Sequence, residues 1–171
     1  MRLLRLAVVV AWIAFLAVGF IQSQQQEIAL VPVNLPRLKQ EIVQKRGKVV
    51  LVDFWASFCL PCRKAFPHFI TMHKKYADKG LVVISVTVDN PQEPEQLEAA
   101  QNFLRHVQSP FLNLHLQESP EVWTKTLDFV SLPCYYIFDR QGKWVRFGGD
   151  SAKSINYDEV EKTIVAMLGE R

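Results

Sequence analysis

Two cysteines separated by two residues, Cys59-Leu60-Pro61-Cys62, are the residues of this chain best suited to chemistry. Thiols at this spacing can close a disulfide, hold half of a metal site, or exchange electrons with another disulfide, and their position decides which. They follow a continuous apolar and β-branched run, Lys48 to Trp55, and precede Phe66, Phe69, Ile70, Met72, His73 and Tyr76 at helical spacing. The pair therefore stands where a buried strand ends and a helix begins. Unpaired N–H groups and the positive end of the helix dipole stabilise a thiolate there, so Cys59 reads as the attacking thiol. Cys62, one turn deeper, reads as the thiol that resolves a mixed disulfide. Pro61 suits a first helical turn, and Leu60 provides an apolar rim without charge.

Two blander readings compete. A zinc site needs more ligands, but there is no second Cys-x-x-Cys, and Cys134 with His68, His73, His106 and His115 forms no ligand spacing. A purely structural disulfide would close so short a loop that it restrains little of the unfolded chain.

The elements that position the pair follow from periodicity. A short helix is expected over Leu35 to Arg46, a central strand over Lys48 to Trp55 interrupted only by Asp53, and a helix over Arg63 to Asp78 closed by Lys79-Gly80. Leu81 to Val88 reads as a second buried strand, Glu95 to Val107 as a helix, Phe111 to Leu116 as a short strand, and Pro120 to Leu127 as a helix capped by Ser119. Cys134 to Phe138 and Lys143 to Phe147 read as a hairpin turning at 139–142, and Tyr157 to Leu168 as a closing amphipathic helix. Alternating strands and helices followed by a hairpin give an α/β fold, a mixed sheet with helices on both faces.

With 171 residues, 49% hydrophobic and 22% charged, the chain has room for one packed domain and an appendage. The appendage is the amino terminus. Arg2 and Arg5 precede an uncharged apolar run, Leu6 to Ile21, and then the polar tether Gln22 to Gln26, which is the layout of an export signal. Because no small-x-small cleavage site follows the run, an uncleaved membrane anchor is favoured over a removed signal peptide. The expected division is 1–26 for leader and tether and 27–171 for the domain. The net charge of +3 reduces to +1 from Glu27 onward, with no basic run, so nucleic acid is not an expected partner. No GxGxxG pattern supports a nucleotide.

Val52 to Phe69, VDFWASFCLPCRKAFPHF, resembles the active-site segment of thioredoxins. Together with the leader, a helix-bearing insertion between Asp89 and Ser119, and LPCYYIFDRQGKWV, it is similar to the membrane-anchored TlpA/ResA-like thiol-disulfide oxidoreductases of that superfamily. The resemblance implies a thioredoxin-like fold with a helical insertion, preceded by an apolar N-terminal helix. It implies that Asp53 takes the proton of Cys62, helped by a pKa raised through burial. It further implies a cis Leu132–Pro133 bond facing the disulfide and substrate contacts through Trp55, Phe58, Leu60, Pro61, Leu132 and Pro133. Phe58 replaces the family's tryptophan. Ser85 stands where thioredoxins have the lysine that partners the buried acid, and Asp89-Asn90 does not match the acidic residue of the TlpA/ResA-like group, so proton handling rests on Asp53 alone. Cys134 is either a regulatory or alternative-disulfide thiol or a small buried one.

The expected function is an exported thiol-disulfide oxidoreductase of the bacterial periplasm or cell envelope, acting as a reductant, for example in cytochrome c maturation. It needs no cofactor beyond the Cys59/Cys62 couple and no metal. Its partners are protein thiols and disulfides, an upstream membrane electron donor, and the bilayer through the N-terminal segment. A peroxiredoxin-type thiol peroxidase and a non-catalytic metal carrier are the alternatives. Ala56, Ser57 and Phe58 before Cys59 lack the threonine of the first, and the close cysteine spacing argues against the second.

Overall fold

The computed structural model describes residues 27–150 and 155–169 of the chain. The leader and tether expected over 1–26 lie outside the described residues. Among those described, no helix is long and apolar enough to cross a membrane.

The elements run β1 (Leu30–Val33), α1 (Leu35–Val43), β2 (Val49–Trp55), α2 (Leu60–Tyr76), a 3-10 turn (Ala77–Lys79), β3 (Leu81–Thr87), α3 (Pro94–His106), β4 (Leu112–Leu116), α4 (Pro120–Leu127), β5 (Cys134–Phe138), β6 (Trp144–Gly148) and α5 (Tyr157–Gly169). They build one sheet in the order β1-β4-β3-β2-β5-β6. The first four of these pair in parallel, and β5 and β6 add antiparallel. β2 lies inside the sheet with every residue buried, which is why its sequence is a continuous apolar run without alternation.

The crossovers β2-α2-β3 and β3-α3-β4 step the same way across the sheet, and right-handed connection then puts α2 and α3 on one face. Packing agrees: Trp55 of β2 meets Phe66 of α2 and Phe103 of α3, with ring centroids 5.6 and 5.2 Å apart. Tyr135 of β5 meets Phe69 of α2 and Tyr157 of α5 on the same side. Residues of opposite parity face the other way, where Phe54 packs on Phe129, which in turn packs on Trp123 of α4, and α1 buries Leu38. Trp55, Phe54, Phe66 and Phe69 are fully enclosed, so truncating any one to alanine costs about 3–5 kcal/mol.

The mixed sheet with helices on both faces matches the expectation, with local differences. β1 was not anticipated, because four residues including Pro32 with only Val33 buried carry no strand periodicity; its place at the sheet edge tolerates the proline. The segment between Asp89 and Ser119 supplies α3 and also β4, seated between β1 and β3 as an internal strand of the sheet. α1 ends at Val43, short of the expected Arg46, and closes through Lys45 N–H to Ile42 and Arg46 N–H to Val43 carbonyls. Ser119 precedes α4 as expected, although its side chain makes no capping bond.

Candidate active site

β2 delivers the chain to the redox pair through Ala56, Ser57 and Phe58. The helix that follows begins at Leu60, three residues before the expected Arg63, so the pair lies inside its first turn. Cys59 is the N-cap, and its sulfur accepts the Cys62 backbone N–H at 3.3 Å. Proline within the first turn removes an N–H that would have had no helical partner. No acidic residue stands in that turn, whereas His73, Lys74 and Lys75 occupy the last one, so the positive end of the dipole at Cys59 is unopposed within the helix. Cys59 and Cys62 are joined in a disulfide. Cys59 keeps 8% of its surface exposed and Cys62 1%, which makes Cys59 the more accessible residue of the pair.

Asp53 is wholly buried in β2, and neither carboxylate oxygen meets a protein hydrogen-bond donor. Burial raises its pKa well above the ordinary carboxylate range. It shares a strand face with Trp55, and that face is the one α2 covers. Ser85 is its register neighbour on β3, in the place considered for a partnering lysine, and its hydroxyl is taken up by the Trp55 indole N–H at 2.8 Å.

The expected substrate contacts separate into two groups. Phe58, 68% exposed, and Leu60, 57% exposed, stand out beside the disulfide with Pro61, and Leu132 and Pro133 are half-buried. Trp55 forms the second group: it has no exposed surface, its N–H is satisfied by Ser85, and its ring is locked between Phe66 and Phe103. It packs as core beneath the site. The Leu132–Pro133 peptide is cis.

Cys134 follows that proline but pairs in register with Phe54, so its side chain takes the face opposite Asp53. Its thiol is fully enclosed and burial pushes its pKa up to about 12. A thiol held protonated and out of solvent is not poised for exchange, so of the two roles weighed for Cys134 the small buried thiol is the one this geometry fits.

Two features escaped the sequence reading. Asp89, buried just beyond β3, accepts the Ser57 backbone N–H with both oxygens at 3.0 and 2.9 Å, the Ser57 hydroxyl at 2.7 Å, and the Thr87 hydroxyl. Its own carbonyl accepts from His115 Nε2 at 2.9 Å, while His115 Nδ1 accepts from Gln117 Nε2 at 2.7 Å. This network fixes the turn that presents Cys59. The available signal was its location: it lies at the carboxyl ends of parallel strands, where α/β sheets gather functional groups. The second is Val130, 73% exposed in the loop before Pro133, for which the sequence held no signal. That loop is fastened by the Val130 and Ser131 N–H groups to the Gly149 carbonyl, and by Gly149 N–H to the Pro133 carbonyl.

Comparisons place this geometry among known proteins. A family model described as thioredoxin-like matches residues 47–144. A thiol-disulfide oxidoreductase ResA of Bacillus thuringiensis subsp. konkukian is 27% identical over 132 residues, covering 74% of this chain and 72% of its own. Protein DipZ of Mycobacterium bovis is 54% identical over a 41-residue stretch, 24% of this chain and 6% of its own. A solved structure assigned as a thiol:disulfide interchange protein DsbE, from Chlorobium tepidum, superposes with a TM-score of 0.59 at 31% identity, covering 75% of this chain and 85% of that one. The chain belongs to the thioredoxin-like family and is a thiol-disulfide oxidoreductase of the ResA/DsbE type, with Cys59 and Cys62 as its Cys-x-x-Cys pair.

Proposed function

We propose that the protein is an exported reductant of protein disulfides, tethered to the membrane by residues 1–26 and working through the domain 27–171. In the reduced enzyme the Cys59 thiolate attacks a substrate disulfide, the substrate S–S bond breaks, and one substrate sulfur leaves as a thiolate that takes a proton from solvent. Cys62 then gives its proton to the Asp53 carboxylate and attacks the Cys59 sulfur. The second substrate sulfur departs as a thiolate, which takes a proton from solvent, and the Cys59–Cys62 disulfide forms, so two electrons have passed to the substrate. A dithiol donor at the membrane reverses the last step to regenerate the enzyme.

The observation that carries this reading is the enclosed Asp53 carboxyl, without a protein donor, on the face of β2 that α2 covers. A base for the less exposed thiol has to be near α2, must not be neutralised by a fixed hydrogen bond, and gains proton affinity from burial. The apolar rim of Phe58, Leu60 and Val130 suits cysteines with apolar neighbours in an extended or unfolded substrate, such as an apocytochrome c. The charge-free Leu60-Pro61 insert favours a reducing couple. Measuring the reduction potential of the Cys59/Cys62 pair tests the direction: a value near about −270 mV supports a reductant, and one near about −120 mV makes the protein an oxidant.

A further inference from the structure

β1, β4, β3 and β2 run parallel, and the redox pair follows the carboxyl end of β2. The opposite end of the sheet is formed by the turn after α1, the turn before β3, the β5–β6 turn and the last residues of α5. Arg140 ties these together: Nη1 donates to the Gly47 carbonyl at 2.8 Å, Nη2 donates to the carbonyls of Lys79 at 3.5 Å and Leu168 at 3.2 Å, and the Arg140 carbonyl accepts the Gly47 N–H. The first three of these segments carry Lys45, Arg46, Lys48, Lys79, Arg140 and Lys143, against Asp78 and Asp139. Asp139 is engaged by the backbone N–H groups of Gln141 and Lys143. From Glu27 onward the chain carries a net charge of only +1, so six cations against two carboxylates at one end leave the remainder net negative. Cations thus outnumber carboxylates at this end although the domain as a whole is nearly neutral.

Two apolar features adjoin the same end. Trp144, 53% exposed, opens β6 next to Lys143, and between α1 and the sheet runs a groove of about 820 Å³ whose lining includes Ile42, Phe138 and Trp144, the cations Lys45, Arg46 and Lys48, and the carboxylates of Asp128 and Asp139. The chain also arrives here. β1 points the same way as β2, and residues 27–29 lie against Arg105 and the loop that enters β4, so the 26 preceding residues join the domain from the end away from Cys59.

We propose that this basic end docks on an anionic lipid bilayer, with the redox pair turned toward the aqueous phase. The proposal rests on the reading of residues 6–21 as an anchor. Because residues 27–29 lie against the domain, the link is the five residues 22–26, whose reach is at most about 17 Å. That holds the cations at distances where a headgroup layer competes with screening over about 8 Å. An exposed indole beside lysines is the composition that settles at the headgroup level. Seven residues of β2 put the redox pair about 23 Å from the docked end, within reach of aqueous substrates.

The test is hydrogen–deuterium exchange by mass spectrometry on the full chain in phosphatidylcholine vesicles, with and without about 30 mol% phosphatidylglycerol. Docking predicts that amides of 44–48, 78–80 and 139–144 exchange about fivefold slower on the anionic vesicles. The slowing should be reversed by about 0.5 M salt and by the triple variant K45E/K48E/K143E. That variant should keep wild-type reduction of a soluble disulfide, which shows that it is folded. Equal exchange on both vesicle types, or protection centred on Phe58 and Leu60, overturns the proposal. Flotation at high salt separates the underlying reading: a chain that leaves neutral vesicles is not anchored, and loop protection on anionic vesicles would then establish the docking surface without the anchor.

Discussion

Replacing Asp53 by asparagine keeps the side-chain volume and removes the ionisation, so the pH dependence of the difference isolates what burial does to this carboxyl. A carboxyl whose pKa is higher in the folded protein than in the unfolded chain binds its proton more tightly in the native state. Native stability of the wild type therefore falls as pH rises from the unfolded pKa, about 3.9, up to the folded one, and the cost is then constant at higher pH. The fall has a limiting slope of about 1.4 kcal/mol per pH unit for one proton. The asparagine amide brings buried donors of its own, a penalty of about 1–3 kcal/mol at every pH. The variant-minus-wild-type difference thus starts negative near pH 4, climbs with pH, and levels off where Asp53 ionises in the folded protein. Urea unfolding of the oxidised proteins across pH 4 to 9 reads this directly, because the disulfide removes both active-site thiols from the titration and Cys134 is common to the two proteins. A difference that stays flat over the whole range would refute the raised pKa and, with it, the assignment of Asp53 as the proton acceptor.

Cys62→Ser should accumulate a mixed disulfide through Cys59 that a non-reducing gel resolves, while Cys59→Ser should form none and lose disulfide reduction. Asp89→Ala orphans the Ser57 N–H and hydroxyl, so a loss of about 3 kcal/mol in urea unfolding and slower exchange at Cys59 are expected, with Asp89→Asn milder because it keeps an acceptor. Cys134→Ala should leave disulfide exchange within about twofold of wild type at a stability cost of about 1 kcal/mol; a larger loss of activity would show that the thiol takes part. Gly148→Ala drives a Cβ into the Pro133 carbonyl oxygen at a backbone φ of +73°, so a loss of about 2–3 kcal/mol and a raised KM for protein substrates are expected.

The redox pair was legible in the sequence because its chemistry is local. A Cys-x-x-Cys between an apolar strand and a helix needs only its own spacing and its neighbours' periodicity to be recognised, and the same holds for β2, β3, β5 and α4, whose bounds agree with the expectation to within a residue. α2 started earlier than expected because the Cys59 sulfur acts as the cap, a role that apolar periodicity does not encode. β1 escaped because an edge strand with one buried residue has no pattern to read.

Other assignments depended on what lies across space. The burial of Trp55 is set by Ser85, thirty residues away in sequence, which holds its N–H, and by Phe66 and Phe103, which close over it. Asp89 looked unmatched at the end of its strand, yet the fold sets it against Ser57 and His115. Composition gave a net charge of +1 from Glu27 onward and no basic run, and only the topology gathered six scattered cations at one end of the sheet. Periodicity and thiol chemistry are properties of neighbouring residues and survive in the sequence. Burial, hydrogen-bond partners and electrostatic polarity belong to residues far apart in the chain, and they exist only once the strands are paired.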